Sequence, residues 1–459
     1  MTDSQNRCSV PAKLTIALCI LTLPLCAADV QATGYGAKGD AQTINTQAIQ
    51  RAIDAAAKTS STVVFKPGVY LTGALFLKSG MHFRVDEGVT IRGVQDLSAY
   101  PEMPTRIAGI EMTWPAALIN VYEQSNVELL GKGIIDGDGK YWWDKYWALR
   151  KEYDAKGLRW AADYDCKRVR LIQVYKSQNV AIRDLNLQRS GFWTVHLCYS
   201  SNINVDGVVI RNNIGGRGPS TDGIDLDSSS DVSIAHADIE CNDDAICMKA
   251  GRDADGIRVN RPTTNVTVRD CTVRVGAGGF TIGSETSGGI HNVTVSGLTV
   301  FSGAPRGIII KSAKTRGGTV DQIRISNVTL DGVATPVDVG LNWNPSYSYA
   351  HIPDGIANVP DYWRVLATPV PPDKGLPHVR GVQISNLKAT GAKQAFSVNA
   401  YSNDPIENFT LDNIDIQAQT AGTIANARDW TFSNVILRTA DGTRPTFTDC
   451  AGMKWLAPQ

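Results

Sequence analysis

Long apolar runs are almost missing from this chain. After Leu25 no stretch of its 459 residues is long and apolar enough to cross a bilayer as a helix, which takes about 20 such residues. Neither sign of charge is in excess: 45 basic residues face 45 acidic ones, so no basic stripe argues for nucleic acid. Cysteine is sparse. Three of the nine fall before residue 27, and the other six (Cys166, Cys198, Cys241, Cys247, Cys271 and Cys450) are too scattered for disulfides to frame the fold. They read either as oxidised pairs of an exported protein or as small apolar core residues. His, Cys and acidic residues nowhere take metal-ligand spacing, so no metal or cofactor is expected, and isolated histidines such as His196 and His291 read as structural. Helical periodicity is scarce too, which leaves strands to build the fold.

The front of the chain reads as a leader. Arg7 and Lys13 precede the apolar run Leu14–Leu25, and Cys26-Ala27-Ala28 offers small residues for cleavage. That is the pattern of a secretory signal over residues 1–28, followed by a mature chain over 29–459. A lipid-anchored reading through Cys26 is weaker, because bulky Leu25 stands where a small residue is wanted. The expectation is a soluble protein, secreted or periplasmic, with no membrane association after the signal is removed, and monomeric.

From residue 120 onward one phrase recurs: a polar pair ending in Asn or Asp, then alternating apolar residues. It appears at Ser125-Asn126-Val127, Gln178-Asn179-Val180, Ser201-Asn202-Ile203, Ser230-Asp231-Val232, Thr264-Asn265-Val266 and His291-Asn292-Val293. Positions 179, 202, 231, 265 and 292 are 23, 29, 34 and 27 residues apart. Alternation with period two marks a strand with one buried face, and Val, Ile and Thr suit strands. Asn before the strand suits a turn, because it tolerates left-handed backbone. A repeat of 20 to 35 residues built from strands predicts an all-β fold, a single parallel β-helix whose coils bury their apolar faces only by stacking. A β-sandwich with regular turns is the alternative. Two segments look helical. Over residues 45–57 the stripe Ala48, Ile49, Ala52, Ile53 and Ala56 predicts a capping helix at the open N-terminal end. The aromatic stretch from Tyr141 to Trp160 predicts an insertion.

Within the repeat lie Ser220-Thr221-Asp222-Gly223-Ile224-Asp225 and Asn242-Asp243-Asp244, 21 to 22 residues apart. Each run alone is a turn. On successive coils, which stack about 4.8 Å apart, they put Asp222, Asp243 and Asp244 at one place. Carboxylates that close cannot all ionise cheaply, so one keeps its proton near neutral pH. A protonated acid beside ionised partners is what glycosidic cleavage needs.

These motifs resemble glycoside hydrolase family 28, the polygalacturonases and their relatives, with their pectin-lyase-like right-handed β-helix. Gly34-Tyr35-Gly36-Ala37-Lys38-Gly39-Asp40 looks like the family's opening. Thr221-Asp222-Gly223 resembles its Asn-Thr-Asp-Gly motif, with Ser220 in the Asn place, and Asn242-Asp243-Asp244 resembles its Gln-Asp-Asp motif. Lys249–Gly256, Asn260-Arg261-Pro262 and Gly279–Glu285 look like the stretches that follow. The resemblance implies an inverting hydrolase with Asp243 as general acid and Asp222 and Asp244 holding and activating water. Inversion in turn implies roughly 6.5 to 9.5 Å between acid and base carboxyl groups.

Two departures bear on substrate. Ala277 stands where polygalacturonases carry His, and Ile309 where they carry the Arg of Arg-Ile-Lys, although Lys311 remains. Losing a guanidinium removes a charge-assisted clamp on an acidic sugar. The expectation is therefore a rhamnogalacturonan-type hydrolase with a pectic oligo- or polysaccharide substrate. An exo- or endo-polygalacturonase, with Arg306 swinging in for the lost Arg, is the alternative. Trp193, Trp343 and Tyr347 are candidate sugar-stacking rings, while most rings of Tyr141–Trp147 read as packing. A lyase on the same scaffold would need a catalytic base other than these aspartates, and a non-catalytic binding β-helix would not need the aspartates at all.

Overall fold

The computed structural model describes residues 1–2 and 29–456, so the expected signal sequence lies, from residue 3 on, outside the described residues. From Val30 onward the chain winds through short strands that pair in parallel with the next coil and the one before. The result is the expected right-handed parallel β-helix, the hand that parallel crossovers almost always take. Inward positions stack in register: Val195, Ile224, Ile246, Phe280, Ile308 and Val337 follow one another along one face. All six are at most 2% exposed. Truncating a side chain in such a row to Ala costs about 2–5 kcal/mol. Coils also begin earlier than residue 120: Val30–Gln31 already pairs with the strand Thr62–Val64.

The recurring Asn forms a ladder along one edge. Asn126, Asn179, Asn202, Asp231, Asn265 and Asn292 all have φ between 51° and 58°, backbone that costs a short polar side chain least. Asn179 Nδ2 donates to Asn126 Oδ1 at 3.0 Å, Asn202 to Asn179 at 2.6 Å, Asn265 to Asp231 at 3.0 Å and Asn292 to Asn265 at 2.9 Å. The capping helix spans Thr46–Thr59, and its five stripe residues are the buried ones. All six cysteines of the described chain are free, and five of them are buried, so they fill space as small apolar residues. No described helix is long and apolar enough to cross a membrane.

Three excursions leave the coils on one side. The first is an antiparallel hairpin, Glu102–Ile107 with Ile110–Pro115, which the repeat pattern did not foretell. The second is the insertion, a helix over Lys140–Ala155 followed by two short helical turns at Arg159–Ala161 and Ala162–Asp165. The third follows the strand Thr335–Gly340 and carries short helices at Pro345–Ser348 and Asp361–Leu366. They share a second apolar core, in which Trp114 of the hairpin, Trp160 of the insertion and Trp363 of the third excursion pack with Phe192 and Trp193 of the coils. Trp160 meets Trp363 edge-on at 4.9 Å. Most rings of the insertion are packing, as expected: Trp142, Trp143 and Tyr146 are buried. A Cβ on Gly218 would lie 2.4 Å from the indole nitrogen of Trp143, so only glycine lets the ring sit there.

Candidate active site

Coil register creates the site. Ile224 pairs with Ile246, which sets Asp222 beside Asp244 on the adjoining coil, and Gly223 N donates to Asp244 O at 2.9 Å. The loop before Asp222 is pinned from both sides. Asn242 Nδ2 donates to Gly218 O at 2.8 Å, and Ser220 Oγ donates to Asp163 Oδ1 of the insertion at 3.0 Å. Ser220 has φ 48°. One oxygen from each of Asp222, Asp243 and Asp244 lies within 4.8 Å of the others.

The three carboxyl groups differ in their partners. Asp244 Oδ2 accepts from Lys311 Nζ at 2.7 Å, and its Oδ1 from Thr281 Oγ1 at 3.0 Å. Burial works against its ionisation, but Lys311 and then Lys249 outweigh it and hold Asp244 below the usual carboxylate range. Asp243 is partly exposed on the pocket floor. Loss of solvent and the neighbouring Asp244 push it up to about 6. Asp222 is almost fully buried, and its Oδ1 has no partner. Burial, then the charge of Asp225, raises it well above its ordinary value.

Beneath the three lies an ion cluster. Lys249 Nζ sits 3.6 Å from Asp222, 3.5 Å from Asp225 and 3.5 Å from Glu285. One cation cannot neutralise three acids. Glu285 also accepts from Tyr347 and Ser284 hydroxyls, and despite burial Lys249 and nearby arginines hold it down at about 2. Asp225 has neither oxygen hydrogen-bonded, and burial pushes it up to about 8. Three close carboxylates could in principle ligate a cation, but the ammonium groups of Lys311 and Lys249 already lie against them. The other cluster of that kind among the described residues, His196, Cys198 and Asp227, is fully buried. Asp227 there anchors the hairpin through Arg106 at 2.9 Å.

The pocket above the aspartates takes in three of the predicted rings. Trp193, Trp343 and Tyr347 all line it, with Lys311. Lys249 Nζ lies 5.2 Å from the centroid of Trp193, and Lys311 Nζ lies 4.3 Å from that of Trp343. Three other predicted residues do not line it. Arg306 pairs with Asp338 at 2.6 Å instead of swinging in. Ile309 is buried, with its Cδ1 against Gly278. Ala277 meets the site only through its backbone, donating to Asp243 O at 2.8 Å. Sequence reasoning missed Lys249, Asp225 and Glu285 as members of the site, although all three lie in quoted motifs. It also missed Arg159 and Asp163, which the insertion brings to the pocket wall. The hairpin adds Ala108; next to it, Gly109 has φ 90°, and a Cβ there would lie 2.4 Å from Arg252 Cβ.

Known proteins resemble this chain in sequence and in fold. The sequence profile of the glycosyl hydrolases family 28 matches residues 57–437. An endo-polygalacturonase of Pectobacterium carotovorum subsp. carotovorum is 30% identical over 336 residues, 71% of this chain and 76% of that protein. A probable polygalacturonase of Vitis vinifera is 26% identical over 412 residues, 87% of this chain and 76% of that protein. Among solved structures, a hyperthermoactive exopolygalacturonase from Thermotoga maritima superposes with a TM-score of 0.76 at 26% identity, covering 90% of this chain and 92% of that one. The chain belongs to glycosyl hydrolases family 28 and is a glycoside hydrolase.

Proposed function

We propose that this protein degrades pectin as an exo-acting, inverting galacturonan hydrolase that removes units from a chain end. The observation that carries this reading is a carboxylate floor with divided proton affinities, set in a pocket walled by three excursions from one side of the coils. Asp243, held near 6, protonates the leaving glycosidic oxygen. Asp244, ionised and gripped by Lys311 and Thr281, takes the proton of the attacking water, and Asp222 helps to hold that water. Both Asp244 oxygens are engaged, and burial raises the proton affinity of Asp222; both weigh against a carboxylate nucleophile and favour water as the attacking group. Trp343, the least buried of the three pocket rings, offers a face to a sugar. Residues from all three excursions line the pocket, and a pocket lined from three sides favours attack at a chain end over threading of a polymer. The names of the relatives support a galacturonan substrate, and a leader over residues 1–28 would carry the enzyme out of the cytoplasm to reach it.

The rhamnogalacturonan reading keeps one observation in its favour: Ile309, buried against Gly278 one coil from Thr281, leaves that position apolar. Digestion of purified homogalacturonan and of rhamnogalacturonan backbone, with analysis of product ends, separates the two. The proposal expects monomer or short units to be released from homogalacturonan without an early fall in viscosity. Galacturonate reducing ends from the rhamnogalacturonan, with none from homogalacturonan, would overturn it. Unsaturated, ultraviolet-absorbing products would overturn hydrolysis altogether.

A further inference from the structure

The ion pairs at the root of the insertion do not balance. Asp163 is a single carboxylate, yet it accepts from Arg159 at 2.8 Å and from Arg168 at 2.8 Å. Arg168 is fully buried, lies over the rings of Tyr146 and Phe192 at 4.1 and 4.2 Å, and also donates to Pro219 O at 2.6 Å. It neutralises Asp163 and cannot leave. Arg159 is then the surplus cation. It lines the pocket above the aspartates, lies 4.9 Å over the ring of Tyr347, and its Nε is buried with no hydrogen-bond partner. A guanidinium that shares its one carboxylate with Arg168 and keeps an unfilled donor, on the wall of a sugar pocket, is open to an anion from the ligand.

We infer that Arg159 is a specificity-determining residue that binds the carboxylate of a uronic acid unit in the pocket. It supplies from the insertion the guanidinium that position 309 lacks. This rests on the galacturonan reading above. It also reverses what Ile309 alone implies, since a cation missing from one strand is replaced by a cation that another segment brings to the pocket. The fork of Arg159 suits a carboxylate better than an ammonium group would. Its seating on Tyr347, with Arg252 4.6 Å from the same ring, fixes its plane before substrate arrives.

The test measures kcat/KM on oligogalacturonate as the free acid and as the methyl ester, for the wild type, Arg159→Gln and Arg159→Lys. Esterification removes the charge and little else. The wild type is expected to prefer the free acid, and Arg159→Gln to lower kcat/KM on the acid by about ten- to a hundred-fold, mainly through KM. The ester should change by less than about three-fold, a few tenths of the charged-contact effect. Arg159→Lys should recover part of the preference, and it carries the comparison if the Gln variant does not fold, because it keeps a cation beside Asp163. A damaged pocket would lower both substrates together. If the acid-to-ester ratio in the variants equals that of the wild type, Arg159 does not read the carboxylate. A wild type that cleaves neither galacturonate substrate would sink the substrate reading of the preceding section, and this inference with it.

Discussion

The Asn ladder and the carboxylate floor are built on the same coils, yet they are opposites. Along the ladder each side-chain amide donates to the residue one coil back, and polar need is met by repetition. On the floor repetition fails. Aspartates stand on neighbouring coils, cations are too few, and Asp222 Oδ1 and both Asp225 oxygens are left without hydrogen bonds. A buried unpaired polar atom costs about 1–3 kcal/mol. The ladder carries none of that cost, whereas the floor carries it at three acid oxygens beside the pocket. Stability sits in the periodic part and chemistry in the aperiodic part.

That contrast can be broken from either side. The largest effect is expected on the floor: Asp243→Asn should lower kcat by about 10²- to 10⁴-fold while ligand binding, measured by calorimetry, is kept. Full activity in that variant would remove Asp243 from the mechanism. Lys311→Met strips Asp244 of its counter-charge in a pair whose side chains are 8% and 2% exposed. Breaking such a pair should cost about 3–5 kcal/mol in denaturant unfolding, and the acid limb of the activity profile should move to higher pH. In the wild type the sign is opposite on the two limbs. The acid Asp243 must keep its proton, so kcat/KM falls as pH rises through about 6. The base Asp244 must lose its proton, and its affinity is lowered, so the acid limb lies below the ordinary carboxylate range. A profile flat from pH 5 to 8 would contradict the assignment of Asp243, and an acid limb at or above the ordinary carboxylate range would contradict that of Asp244. The smallest effect belongs to the ladder. Asn265→Ala should cost about 1–2 kcal/mol, because Ala must hold φ 57° and loses the amide bonds. Asn265→Gly should cost less, since glycine takes that backbone freely, and neither should change kcat.

The ladder was legible in the sequence because Asn, turn and alternating strand recur together. The capping helix was legible from its five-residue stripe. The first coils were not, because their turns lack that Asn: the turn after Leu75–Leu77 uses Gly80 at φ 76° instead. The three aspartates were legible because strand register depends on local pattern. Lys249 was not, since a lysine at an outward strand position ordinarily meets solvent, and its burial comes from walls distant in sequence. For the same reason Ile309 pointed to an uncharged subsite. The strand reports one missing guanidinium but says nothing of Arg159, which arrives from an insertion about 150 residues upstream. Arg306 looked able to compensate by proximity in sequence, but Asp338 on the next coil holds it.

The stereochemistry of the first product bears most directly on the central claim. One oxygen from each of Asp222, Asp243 and Asp244 lies within 4.8 Å of the others, a nearest-atom distance that does not by itself choose between a retaining and an inverting pair. The partners of those oxygens argue for water, because Asp244 is gripped at both oxygens and burial raises the proton affinity of Asp222. Proton NMR of the anomeric signals in the first minutes of galacturonan digestion distinguishes the two outcomes. The account predicts a product whose new reducing end has inverted configuration and then mutarotates. A product that first appears with retained configuration would mean that a carboxylate, not water, attacks the sugar.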